Sequence, residues 1–245
     1  MARARKDNDI DIEDEARPGV FRRLRLWVRR WVRRIVFWGC VAVLLVVALF
    51  SVIRPPQTLY MLTEKSRLGT IKYEWVDMDE IAPVMARSVV AAEDANFCGH
   101  WGFDMSAIRQ VIEEGETRGA STLTQQTVKN VFLWPARSWV RKAMEAGITP
   151  VVELIWPKRR IVEVYLNIAE FDEGVFGVKA ASQHYFGVSP AQLSPTQASR
   201  LAAILPNPKN RSAINPGQFV VRRSASIRDG AALIHQDGRA ACFED

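Results

Sequence analysis

Nineteen consecutive positions near the N-terminus, 35–53 (IVFWGCVAVLLVVALFSVI), carry no charge. This matches the roughly 20 residues a helix needs to cross a bilayer. The run is longer than a secretory signal core and continues into Arg54-Pro55-Pro56 rather than a small-residue cleavage site. An uncleaved anchor is therefore expected. A buried core helix would show a polar face, and this run has none. Beyond it, residues 57–80 lack a helical period and carry β-branched and aromatic residues around Ile71–Val76, which predicts an extended lead-in with one short strand. From about Ile81 the apolar positions recur at helical spacing. Helices are predicted over Ala86–Ala95, over Phe103–Glu114 with Asp104 as N-cap, and from Ser121 or Thr122 to Phe132, where Trp134-Pro135 intervenes. Others are predicted from Ser138 to Trp156, ended by Pro157, and over Lys158–Ile168, Val178–Tyr185 and Pro195–Leu205. Residues 115–120 and the region of Gly174 and Gly177 read as loops. Few segments alternate as strands, so the fold class expected is mainly α, preceded by one transmembrane helix.

Charge divides the 245 residues into three parts: a basic segment 1–34, the anchor 35–53 and an outer domain 54–245. Residues 1–34 hold eleven Lys/Arg against six Asp/Glu, which places +5 of the net +6 in this leader. The basic balance is thus no argument for a nucleic-acid-binding main domain. Arg22, Arg23, Arg25, Arg29, Arg30, Arg33 and Arg34 precede the apolar run and only Arg54 closely follows it. That asymmetry predicts a cytoplasmic N-terminus with everything after about residue 54 outside. FRRLRLWVRRWVRR suits an amphipathic helix on an anionic inner leaflet, and residues 1–19 are polar and expected to be disordered. Cys40 lies in the anchor, while Cys98 and Cys242 would face an oxidising space and can pair there. His100, His184 and His235 are too scattered to suggest a zinc site.

Three stretches carry candidate chemistry. VVAAEDANFCGHWGFD puts Glu93 and Asp94 where an apolar helix runs into a loop, a setting that raises a carboxyl pKa and suits a general base or acid. In GASTLTQQTVKNVFLWPARSWVRKAMEA, Gln126, Lys129 and Asn130 share a helix face, and Ser121, Thr122, Thr124 and Gln125 lie just upstream. Lys129, Arg137, Arg141 and Lys142 add four cations in 14 residues, which suits a phosphate-bearing ligand. EAGITPVVELIWPKRRIVEVYLN sets Glu145, Glu153 and Glu163 among apolar residues. Surface pairing with Lys142, Lys158, Arg159 or Arg160 is the plainer account of these acids.

EDANFCGHWGFD, GASTLTQQTVKNVFL, RKAMEA, KRRIVEVYLN, FGVKAASQHYFG and ASRLAAILPNP together resemble, in order, the motifs of the peptidoglycan glycosyltransferases. The resemblance covers about residues 57–223, while the tail from about Arg223 resembles the family least and is assigned no role. The absence of a penicillin-binding domain, with NVFLWPARSW and NIAEFDEGVFGV, implies the monofunctional branch, found in the inner membrane of Gram-negative bacteria. The resemblance implies a lysozyme-like glycosyltransferase fold that polymerises lipid II into glycan strands. The residue matching Glu93 is the family's general base, and that matching Glu145 its second essential carboxylate. Positions matching Lys129, Arg137, Arg141 and Lys142 meet the phosphates; Ser121, Thr122, Gln125, Gln126 and Asn130 would line the cleft, with Asp94, Phe97 and His100 also counted towards substrate binding. No cofactor is required on this reading and no metal ligands are assigned, although a divalent cation near the diphosphate is compatible with it. Partners are lipid II, the growing strand, the inner membrane and other wall-synthesis proteins. A lytic enzyme would have no diphosphate for the cations to meet, and a catalytically silent scaffold would not need both Glu93 and Glu145.

Overall fold

The computed structural model describes residues 20–114 and 121–244. The expected disorder of 1–19 and the expected loop 115–120 fall outside them. The protein divides into two compact units, 1–45 and 46–245. Helix α1 (Val20–Phe50) joins the basic stretch and the apolar run in one element, and Phe21–Phe50 is long and apolar enough to cross a membrane. The remaining helices are α2 (Leu59–Leu68), α3 (Pro83–Glu93), α4 (Met105–Glu114), α5 (Leu123–Phe132), α6 (Trp139–Ile155), α7 (Lys158–Ile168), α8 (Val178–Phe186), α9 (Pro195–Ile204), α10 (Gln218–Gln236) and α11 (Ala241–Glu244). The protein is mainly α.

Side-chain caps fix the start of several helices. Thr122 and Gln125 form a reciprocal capping box at α5, Ser138 accepts from Arg141 N at α6, and Asp104 accepts from Ser106 N and Ala107 N at α4. Helix α6 continues through Pro150. Three elements depart from the expectation. Residues 57–80 hold helix α2, capped by Thr58 and ended by Gly69 at φ 81°, before the short strand β1 (Lys72–Tyr73). The region of Gly174 and Gly177 is not only loop: β2 (Glu170–Asp172) and β3 (Val175–Phe176) pair antiparallel, and β3 pairs in parallel with β1. The tail is no appendage, since α10 packs against both α3 and α9 and buries Val220, Ile227, Ala231 and Ile234. Its approach is close enough that a Cβ on Gly230 would lie 3.3 Å from Ala91 Cβ.

A second layer, α5 against α6 and α7, faces the cleft. Polar groups of α7 hold the lead-in strand: Asn167 Oδ1 accepts from Val76 N at 2.8 Å and its Nδ2 donates to Val76 O at 2.9 Å. Glu163 accepts from Met78 N and pairs with Arg160, which is the plainer account of that acid. In the last turn of α1, Trp156 Nε1 donates to Val47 O at 2.7 Å beside the backbone bond from Ser51 N, and Arg160 donates to Phe50 O at 3.1 Å, a partner that a helix terminus lacks. Cys98 and Cys242 are disulfide-bonded, with Cα atoms 5.8 Å apart, and Cys40 is free.

Candidate active site

Glu93 is the last residue of α3, half-buried, with Gln126 Nε2 donating to its Oε2 at 2.9 Å. Burial pushes its pKa up, and the charge of Asp94 adds to this. The Gln126 hydrogen bond and the charges of Arg223 and Lys129 pull the other way without cancelling it. The Tyr165 hydroxyl donates to Gln126 Oε1 at 3.3 Å.

A cleft of about 520 Å³ opens beside this point. Gln126, Lys129, Asn130, Arg137 and Arg141 line it, together with Tyr60, Tyr165 and Glu170. Burial lowers the Lys129 pKa, aided by Arg141 and Lys142, while Glu145 and Glu93 oppose it. Glu145 is 2% exposed, accepts from Arg141 Nη1 at 3.1 Å and pairs with Lys142. It is therefore a buried counter-ion that lets three cations gather on α5 and α6. Both its oxygens are engaged, so a metal ion there would have to displace a basic side chain.

Other residues expected at the substrate stand behind the wall. Asp94 accepts from Leu123 N at 2.9 Å through Oδ2 and pairs through Oδ1 with His100 Nε2 at 2.8 Å. It ties the end of α3 to the start of α5. Phe97 is 1% exposed, with Lys158 Nζ 4.2 Å above its ring. Thr122 and Gln125 are turned into their capping box, and Thr122 Oγ1 also donates to Gly102 O at 2.7 Å. Ser121 stands before α5 with its carbonyl towards Gln126 Nε2 at 3.4 Å, and Lys142 is half-exposed over Glu145. Ligating atoms of Asp94, His100 and Asp104 lie within 4.8 Å of one another. Asp104 already accepts from Asn96, Ser106 and Ala107, so the group reads as a hydrogen-bond cluster and does not fit an ion well.

A family model described as Transglycosylase matches residues 62–231. The chain belongs to the transglycosylase family. Similar proteins carry the name biosynthetic peptidoglycan transglycosylase. One from Jannaschia sp. (strain CCS1) is 62% identical over 217 residues, covering 88% of this chain and 90% of that one. One from Pseudomonas fluorescens (strain SBW25) is 46% identical, covering 88% and 93%, and one from Caulobacter vibrioides is 43% identical, covering 87% and 98%. The matched segment reaches into α10 and includes Arg223, whose Nη2 donates to Ala92 O at 2.8 Å beside Glu93. Tyr60, Glu170 and Arg223 were not expected at the site. Tyr165 and Glu170 lie in stretches that carry the family resemblance, KRRIVEVYLN and NIAEFDEGVFGV, although neither is singled out there as a site residue.

Proposed function

We propose that this transglycosylase polymerises lipid II, joining disaccharide units into β-1,4-linked peptidoglycan strands with release of undecaprenyl diphosphate. The observation that carries the reading is a half-buried carboxyl of raised proton affinity, Glu93, next to a cleft lined by Lys129, Arg137 and Arg141. Glu93 takes the proton from the 4-hydroxyl of the acceptor GlcNAc as that oxygen attacks C1 of the donor MurNAc. The α-linked diphosphate departs from the opposite face, so the new bond is β. Its developing charge is met by Lys129, Arg137 and Arg141, with Lys142 behind them, in a site where water is partly excluded. Glu145 keeps Arg141 and Lys142 oriented. On this reading the chain's own cations serve the leaving group, and a divalent cation is accessory.

The setting is an inner membrane with the catalytic unit outside and residues 1–34 in the cytoplasm, next to other wall-synthesis proteins. The arginines that precede the apolar run support that orientation, and so does the Cys98–Cys242 bond, which belongs in an oxidising compartment. Incubating purified lipid II with detergent-solubilised protein tests the reading: wild type yields glycan strands and Glu93→Gln does not. Equal polymer from both would remove Glu93 as the base.

A further inference from the structure

The backbone that follows Glu93 is gripped from two sides. On one, Asp94 is bound to Leu123 N and His100. On the other, the C-terminal turn fastens it at several points. Arg239 Nη1 donates to Ala95 O at 3.0 Å. Cys242, on α11, is bonded to Cys98 in the 3₁₀ turn Phe97–Gly99. Phe243, fully buried, meets Phe97 with ring centroids 6.4 Å apart. Helix α11 is itself held by Arg159, which donates to the carbonyls of Phe243 and Glu244, and by Arg87, which pairs with Glu244. Cys242 lies beyond the segment that the family model matches, 62–231, so this fastening is an addition to what the family signature describes.

We propose that the Cys98–Cys242 bond is a positioning element for the base: it holds the turn after Glu93 so that Glu93 stays half-buried against Gln126, and full activity follows only once the bond has formed. The inference rests on the polymerase reading above. Glu93 has one side-chain hydrogen bond among the described residues, from Gln126, so its placement depends on the backbone that carries it. Helix α11 has four residues, too few to persist without tertiary support, and a terminal segment frays unless it is tied down. A covalent tie across 144 residues of sequence prevents that fraying from reaching the turn. Formation requires an oxidant. The two thiols lose two protons and pass two electrons to the disulfide of an oxidoreductase on the outer face of the membrane. A mixed disulfide is the intermediate, and the oxidoreductase leaves as a dithiol.

The test uses full-length protein in detergent with lipid II. Oxidised wild type, its bond verified by mass, is compared with the reduced and alkylated form and with Cys98→Ser/Cys242→Ser. Expected is a fall of about tenfold in kcat with KM little changed, since small misplacements of a catalytic group weigh on the chemical step. The acid limb of the pH–rate profile should also move to lower pH, because a loosened Glu93 meets more water, and reoxidation of reduced, unalkylated protein should restore both. A general staple would not move the acid limb. Unchanged kcat and acid limb in the reduced and double-Ser forms would overturn the proposal, as would loss of activity matched by loss of helical signal at the assay temperature, or free thiols at Cys98 and Cys242 in active wild type. Polymer made by every form at the same kcat and with the same acid limb sinks this proposal alone, whereas no polymer from oxidised wild type sinks the polymerase reading and this one with it.

Discussion

Tyr165 helps fix which end of Gln126 faces Glu93, together with the Ser121 carbonyl that Nε2 also meets at 3.4 Å. The Tyr165 hydroxyl donates to Gln126 Oε1, so the amide nitrogen is left to point at the carboxylate. Tyr165→Phe removes that lock while keeping the ring, and should lower kcat/KM by about tenfold or less, the equivalent of one hydrogen bond of ~1 kcal/mol. Gln126→Leu removes the donor itself. Glu93 then loses the hydrogen bond that favours its charged form, and the acid limb of kcat/KM should move to higher pH. A pH–rate series on both variants checks the order.

Glu93→Gln should reduce polymerisation by about 10²–10⁴-fold. The same substitution should stabilise the fold at neutral pH. A carboxyl whose folded pKa is raised contributes stability below its unfolded value and loses it as pH rises through the folded one. The amide has no such loss. Glu93→Gln should therefore melt above wild type at pH 7–8, by a few degrees (~2–4 °C per kcal/mol in a domain of this size), with the gap closing as pH falls towards 4.5, the ordinary glutamate value. Calorimetry at several pH values measures it.

Glu145→Gln tests the counter-ion role. Lys129 already loses its proton below the ordinary lysine value of 10.5 because it is buried. Removing the Glu145 charge takes away the largest influence that holds the proton on. If Lys129 meets the diphosphate as proposed, the alkaline limb of activity follows the loss of its charge and should move to lower pH, while the acid limb stays near its wild-type position. Wild-type kinetics at alkaline pH in Glu145→Gln would remove this account.

Arg223→Gln should act on Glu93, the proposed base, from outside the cleft. The guanidinium lowers the Glu93 pKa and binds Ala92 O. Its loss should shift the acid limb to higher pH with a modest drop in kcat and no change in the affinity for a phosphate-bearing inhibitor.

Gly102→Ala should be costly for steric reasons alone. At φ 80° a new Cβ would lie 2.5 Å from Thr149 Cγ2 and 3.1 Å from Glu153 Cγ. A loss of about 2 kcal/mol or more is expected from strain and overpacking. Adding Thr149→Ser deletes the clashing methyl, keeps the hydroxyl that donates to Glu145 O at 2.7 Å, and should recover part of it. Thermal melts of the single and double variants measure both.

Caps and apolar spacing made the helices from α3 to α9 legible, because Asp104, Thr122 and Ser138 are local signals that need no tertiary context. Helix α2 escaped because Leu59, Tyr60, Met61 and Leu62 are contiguous and give no period, although Thr58 and Gly69 bracket them. Strands of two or three residues cannot announce themselves, since the register of Lys72 with Val175 is set by residues a hundred positions apart. At the site, Gln126, Lys129 and Asn130 share one face, and all three reach the cleft. Asp94 and Phe97 stood out by type, yet type says nothing of which way a side chain turns, and both turn inward. Arg223 had no local signal, because its target is the carbonyl of Ala92, 131 residues earlier.

Helix α3 stops on Glu93, the residue proposed as the base. The carbonyl end of a helix carries about half a negative charge, concentrated in its last turn. Glu93 sits in that field, which favours proton uptake, and Arg223 caps one of the carbonyls that produce it. Burial does most to raise the proton affinity of Glu93, the backbone dipole adds to it, and a side chain on a distant helix is among the groups that oppose it. A relative that needed to work in a more acidic or more alkaline surrounding could retune it at position 223 without altering any residue that lines the cleft.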